Sequence, residues 1–133
     1  MATQPTILIA DDDPRLRKVV GRALELEGYH AITAADGRQA LDLALRESID
    51  LLILDITMPG PDGFSVAQQV RAVSPVPILL ITALTADAGL TRRLAGGADD
   101  YLLKPFGIAE LAAHVAALLP NHPDPDVRTA SAA

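Results

Sequence analysis

Three carboxylates, a hydroxyl and an ammonium stand in this chain where they could act together: Asp11, Asp12, Asp55, Thr82 and Lys104. Each closes or follows a short apolar run. Ile7-Leu8-Ile9-Ala10 precedes the first two acids, Leu51-Leu52-Ile53-Leu54 precedes Asp55, Leu79-Leu80-Ile81 precedes Thr82, and Tyr101-Leu102-Leu103 precedes Lys104. If those runs are strands of one parallel sheet, the polar residues leave it at the same rim. Two like charges about 4 Å apart repel by roughly 4 kcal/mol at an effective dielectric near 20, and a third worsens this. A hard divalent cation relieves the repulsion, and Mg²⁺ favours one or two carboxylates with waters and a phosphate oxygen. It would also shield an incoming phosphoryl group from Asp55, making attack by a carboxylate feasible. Phosphoryl transfer needs chiefly positioning and charge neutralisation, which the lysine and the hydroxyl extend.

Taken one at a time, each residue has a plainer reading. Asp13 before Pro14 reads as a helix cap, with proline at the first helical position. Asp11 and Asp12 could be solvated loop charges, Asp62-Gly63 a turn and cap, and Lys104-Pro105 an ordinary turn. Thr82 could simply end a strand, and Tyr101 could be half-buried packing. Their joint placement at four strand ends is what argues for chemistry.

The elements that must position them alternate regularly. After the first strand, Leu16, Val19, Val20, Ala23 and Leu24 repeat at helical spacing until Gly28. A weaker strand over 29–34 leads to Asp36, which caps a helix with Ala40, Leu41, Ala44 and Leu45 on one face. The strand ending at Asp55 is followed by the turn-rich Pro59-Gly60-Pro61-Asp62-Gly63 and a helix carrying Val66, Ala67, Val70 and Val73. A strand over 76–81 tolerates Pro77 near its start. The next segment, 86–97, is the poorest helix candidate because Gly89, Gly96 and Gly97 each weaken it. After the last strand, Ile108, Leu111, Ala112, Val115, Leu118 and Leu119 form a clean amphipathic stripe. Five strands alternating with five helices predict a doubly wound α/β fold, with a parallel sheet covered on both faces. Ligands of such sheets bind beyond the carboxyl ends of the strands.

Composition bounds the function. One domain over 1–119 is expected, with 120–133, which holds three prolines, as a flexible tail or the start of a linker. Half the 133 residues are apolar but only 3% are aromatic, so the core must be aliphatic, as suits parallel strands. With 17 acidic and 11 basic residues the formal charge is −6, which disfavours direct binding to nucleic acid or anionic membrane. The absence of cysteine excludes disulfides and thiol chemistry. Neither a signal peptide nor a membrane span is visible, and a cytoplasmic location is expected.

Four stretches carry a family resemblance: Ile9-Ala10-Asp11-Asp12-Asp13-Pro14, residues 54–63, Leu80-Ile81-Thr82-Ala83, and residues 97–106 ending in Lys104-Pro105-Phe106. In this order they resemble the response-regulator receiver domain, CheY-like, over about 6–119. The wording is closest to receivers of OmpR/PhoB-type transcription regulators. The resemblance implies a flavodoxin/CheY-like strand order of 2-1-3-4-5; CheY is a standard example of that order. It implies a phosphoacceptor regulatory domain rather than an enzyme, receiving its phosphoryl group from a sensor histidine kinase onto Asp55. Asp12 would bind Mg²⁺ directly, Asp11 through water, and Thr57 through its backbone carbonyl. Lys104 and Thr82 would contact the phosphoryl group, Tyr101 would swing inward as the switch, and the Lys104–Pro105 bond would be cis. The readout surface would comprise segment 86–97, the fifth strand and the final helix.

Relatives of that type tend to form homodimers through the same surface, and Asp99 and Asp100 fit their acidic positions. Leu90 and His114 stand where basic residues are usual, with Arg92 and Arg93 out of register, so a weaker or differently oriented dimer is expected. His114 is either a pH-sensitive substitute or an ordinary surface histidine. Two rival functions remain. A phosphatase of the haloacid-dehalogenase type needs a second acid two residues after the nucleophile, where Thr57 stands. A receiver that acts only as an interaction module, without phosphorylation, gains no support from a fully populated set of polar positions. No glycine-rich phosphate loop opens any helix, which argues against nucleotide binding.

Overall fold

The computed structural model describes residues 4–83 and 98–119. Five parallel strands, β1 (Thr6–Ala10), β2 (His30–Ala34), β3 (Leu51–Asp55), β4 (Ile78–Thr82) and β5 (Asp100–Leu103), form one sheet in the order β2-β1-β3-β4-β5. The fold and its strand order are those expected. Four helices lie within the described residues: α1 (Pro14–Leu26), α2 (Gly37–Arg46), α3 (Gly63–Arg71) and α4 (Ile108–Leu118). The helix expected over 86–97, with Leu90, Arg92 and Arg93, and the tail expected over 120–133 lie outside them.

The strand residues sort by the two-residue alternation of a pleated sheet. Leu8, Leu52, Leu54 and Leu80 point to one face and pack with Ala40 and Ala44 of α2 and Val66, Ala67 and Val70 of α3. Ile7, Ile9, Leu51, Ile53, Leu79 and Ile81 point to the other, against Val20 and Leu24 of α1 and Leu111 and Val115 of α4. Both faces are covered, which is why β3 and β4 are buried along their whole length. The largest fully buried side chains are all leucine or isoleucine, each contributing about 1.5–3 kcal/mol by leaving water.

Short polar side chains begin three of the four described helices, α1, α2 and α3. Asp13 accepts from Arg15 N, Asp36 from Gln39 N and Asp62 from Ser65 N, each satisfying an amide that the helix cannot. Gly28, at a φ of +99°, ends α1 in a conformation that glycine adopts without penalty. The helical stripes are narrower than their sequence spacing predicts. Val19, Leu45 and Ile108 are exposed at 55%, 52% and 40%. A five-residue strand covers little more than a 4,4 spacing on a helix, so only Leu16, Val20 and Leu24 of α1 pack inward. Val73, 70% exposed, lies beyond the end of α3.

Candidate phosphoacceptor site

All four strand ends named in the sequence meet at the carboxyl rim. β1 delivers Asp11, whose backbone N–H extends the ladder to Ala34 O at 3.1 Å, and Arg17 of α1 holds the Asp11 carbonyl at 2.8 Å. β3 ends on Asp55 itself and β4 on Thr82. The Lys104 N–H bonds Thr82 O at 2.7 Å, so the lysine is fixed to the end of β4 as well as to its own strand. The Lys104–Pro105 bond is cis, as expected. Asp11, Asp55 and Thr82 are the buried polar residues among those described, whereas Asp12 faces solvent.

One lysine stands among these acids. Ligand oxygens of Asp11, Asp12 and Asp55 lie within 4.8 Å of one another. Lys104 Nζ is 2.8 Å from Asp11 Oδ2 and 3.4 Å from Asp55 Oδ2. Asp11 Oδ1 accepts the Asp13 N–H at 2.8 Å, but Asp11 Oδ2, though within ion-pair range of Lys104, has no hydrogen-bond donor in a suitable direction. An acceptor oxygen removed from water and left without a donor costs free energy. Burial raises the Asp11 pKa above the ordinary aspartate value, reinforced by the charge of Asp55; the Lys104 ammonium and the Asp13 N–H only partly offset this. Burial acts to lower the Lys104 pKa, but its two carboxylate neighbours outweigh it and the net shift is upward. The cluster is therefore short of positive charge, and it can hold a metal ion: hard oxygen donors, too many negative charges and one orphaned buried oxygen fit a divalent cation.

Thr57, two residues past Asp55, donates its N–H and its Oγ1 to Asp55 Oδ1 at 3.2 and 3.3 Å. Tyr101 is half-buried in β5 against the α2–α3 side of the core. It pairs with Leu80, while Thr82 pairs with Leu103, so Tyr101 and Thr82 share a sheet face two residues apart. Beside Lys104 an apolar groove of about 580 Å³ runs between α1 and α4, lined by Leu16, Val19, Val20, Pro105, Phe106 and Ile108. The exposure of Val19 and Ile108 belongs to this groove, which the spacing of apolar residues does not reveal.

At the opposite rim His114 Nδ1 lies 2.7 Å from Asp100 Oδ2, and Arg71 pairs with Asp99, which also accepts Ile78 N at 2.8 Å. Both acids expected to face a second copy are thus engaged within the chain. Sequence reasoning missed this: nothing in the spacing of Arg71 and Asp99 shows that the end of α3 meets the residue before β5.

A family model described as "Response regulator receiver domain" matches residues 7–116. The chain belongs to that family. The receiver is 44% identical over 119 residues to "Probable transcriptional regulator ycf27" of Guillardia theta, an alignment covering 90% of this chain and 47% of that protein. It is 43% identical over 113 residues to the transcriptional regulatory protein CpxR of Escherichia coli K12, covering 85% and 48%. The receiver thus spans about half the length of these relatives. Among solved structures, the response regulator TrrA of Thermotoga maritima, in complex with Mg²⁺-BeF, superposes with a TM-score of 0.80 at 36% identity, over 87% of this chain and 100% of that one. The chain is a receiver of two-component signalling, a regulatory rather than a catalytic domain, and its relatives are transcription regulators. None of the described helices is long and apolar enough to cross a membrane.

Proposed function

We propose that this receiver accepts a phosphoryl group on Asp55 from the phosphohistidine of a sensor kinase, with Mg²⁺ at the acidic cluster. The observation that carries this reading is the gathering of three carboxylates within 4.8 Å, with Lys104 reaching two of them. An Asp55 oxygen attacks phosphorus, and the phosphorus–nitrogen bond breaks. The electron pair stays on the imidazole, leaving an acyl phosphate on Asp55. When bound, Mg²⁺ neutralises the oxygens of the transferring group and of the carboxylates. Asp12, Asp55 and the Thr57 carbonyl are assigned as its direct protein ligands, and Asp11 as a ligand through water. Thr57 orients Asp55 through its N–H and Oγ1, and Lys104 turns from Asp11 to the phosphoryl oxygens. Thr57 carries no acidic group, which speaks against the phosphatase alternative.

The readout begins with about two negative charges added at Asp55. Thr82 and Lys104 move toward them, and Tyr101, on the same face as Thr82, follows into the vacated space. The surface of β5 and α4 is thereby remodelled. A homodimer through this surface would compete with Arg71 and His114 for Asp99 and Asp100. The kinase helix bearing the histidine is assigned to the apolar groove beside Lys104, with Arg15 at its edge for an acidic flank.

Intact-mass measurement after incubation with acetyl phosphate and Mg²⁺ tests the core of this reading. One phosphate is expected on the wild type and none on Asp55→Asn. A wild type that gains no mass would leave the interaction-module alternative standing.

A further inference from the structure

We propose that Gly37, at the start of α2, is a positioning residue for the metal-binding half of the site, acting through the loop between β3 and α3. The inference rests on the Mg²⁺-dependent reading above and extends it to a residue with no chemistry of its own. The loop 56–62 carries Thr57, which bonds Asp55 twice and is assigned a metal-ligating carbonyl. The loop is gripped at two points, and a glycine stands at each. Within the loop's own return, the Gly63 N–H bonds Ile56 O at 3.0 Å, and a Cβ at 63 would lie 2.7 Å from both Asp55 O and Ile56 Cα.

The second grip comes from a different helix. The Gly37 N–H donates to Pro59 O at 3.3 Å, and a Cβ at 37 would sit 2.1 Å from Pro61 O and 3.1 Å from the Pro61 carbonyl carbon. Those are backbone atoms, which no rotamer change can move aside. Gly37 does not have positive φ, so glycine is required there by the closeness of the loop and not by its own conformation. The start of α2 is itself fixed by Asp36, which caps it through Gln39 N at 2.8 Å. Any side chain at 37 must push Pro61 and its neighbours away from α2. The start of the loop is fixed by the buried Ile56, and the buried Met58 stands between Pro61 and Thr57, so the displacement of Pro61 reaches Thr57 to the extent that Met58 is carried with it.

Outer residues that orient metal ligands typically change affinity by about 10- to 100-fold when altered. Calorimetric titration of the metal-free chain with MgCl₂ reads this directly. Gly37→Ala is expected to weaken Mg²⁺ binding by about tenfold. Phosphorylation by acetyl phosphate should slow at low Mg²⁺ and recover at saturating Mg²⁺, a split that general destabilisation would not produce. Asp36→Ala, which loosens the same seat without adding an atom, should weaken binding by about threefold. Val70→Ala, a core truncation in α3 remote from the grip, should lower stability and leave Mg²⁺ affinity unchanged.

If Gly37→Ala fails to fold, the Asp36→Ala result decides alone. Wild-type affinity in the variants tested, or an equal loss in Val70→Ala, overturns the role of Gly37. If instead the wild type shows no saturable Mg²⁺ binding, or Asp55→Asn binds as well as wild type, the phosphoacceptor reading itself has failed.

Discussion

The two rims of the sheet treat their acids in opposite ways. At the amino rim, Asp99 has Arg71 and an Ile78 N–H, and Asp100 has His114 and a Tyr101 N–H. At the carboxyl rim, Asp11 and Asp55 share Lys104 with Asp12 close by, and the buried Asp11 Oδ2 has that ammonium within ion-pair range but no aligned hydrogen-bond donor. The first arrangement is electrostatically closed and serves to fasten α3 and α4 to the sheet. The second is incomplete by itself, and groups held short of their partners are characteristic of sites that bind something. The contrast says where stability and binding part company in this fold, and each side of it can be perturbed alone.

The largest effect should follow from removing the cation of the carboxyl rim. Lys104→Met leaves Asp11 and Asp55 facing each other below the surface. In the metal-free protein this is expected to cost about 3 kcal/mol, in the range for breaking a buried ion pair. Mg²⁺ should restore most of it, because the ion supplies the missing charge. Urea denaturation with and without Mg²⁺ measures both quantities. Unchanged stability without metal would mean that the acids do not repel as their spacing implies.

The converse substitution should stabilise. Asp11→Asn keeps an acceptor for the Asp13 N–H and removes one of the crowded charges. A gain of about 1 kcal/mol is expected in the metal-free state, or a rise of about 4 °C in melting temperature. The stabilisation that wild type gains from Mg²⁺ should shrink at the same time. Asp99→Asn at the other rim should do the reverse, losing stability and leaving the Mg²⁺ response intact.

The same logic sets the pH dependence. The folded pKa of Asp11 lies above its unfolded value, so the unfolded chain gives up this proton first as pH rises. Between the ordinary carboxylate value and the raised folded value, rising pH therefore lowers the stability of the metal-free protein. Mg²⁺ binding must displace that proton, so affinity should begin to fall at a pH above the ordinary aspartate range. Lys104 acts at the other extreme: its stabilisation is complete below its unfolded value and disappears as pH rises through its raised folded pKa. Calorimetric Mg²⁺ titrations stepped from neutral to about pH 4 check the acid limb. In Asp11→Asn that early loss of affinity should be absent.

What the chain discloses in advance divides along the same line. Four of the five strand ends were legible because each is an aliphatic run stopped by a polar residue, and parallel order gathers such ends at one rim. Asp11, Asp55, Thr82 and Lys104 could therefore be brought together on paper. The caps at Asp13, Asp36 and Asp62 were equally local. Contacts made by tertiary approach were not legible. The His114–Asp100 and Arg71–Asp99 pairs join elements whose relative rotation no periodicity fixes. The close packing of Gly37 on Pro61 is a backbone approach between the start of α2 and the loop before α3, and leaves only an unremarkable glycine in the sequence. Val19 and Ile108 look like core by spacing, yet they line an open groove beside Lys104.

The smallest expected effects belong to the amino rim, and they test whether it is as closed as its geometry implies. The His114 and Asp100 side chains are about a third exposed. Solvent screens such a pair, and a double-mutant cycle between His114→Ala and Asp100→Asn should give a coupling of about 0.5–1 kcal/mol. The more exposed pair, Arg46 with Asp42 one turn apart on α2, should give less, about 0.3–0.5 kcal/mol. Neither cycle should alter Mg²⁺ affinity, since the sheet separates both pairs from the acidic cluster. A change in Mg²⁺ affinity on breaking His114–Asp100 would show the two rims to be coupled through β5. The closed rim would then be part of the switch and not merely its support.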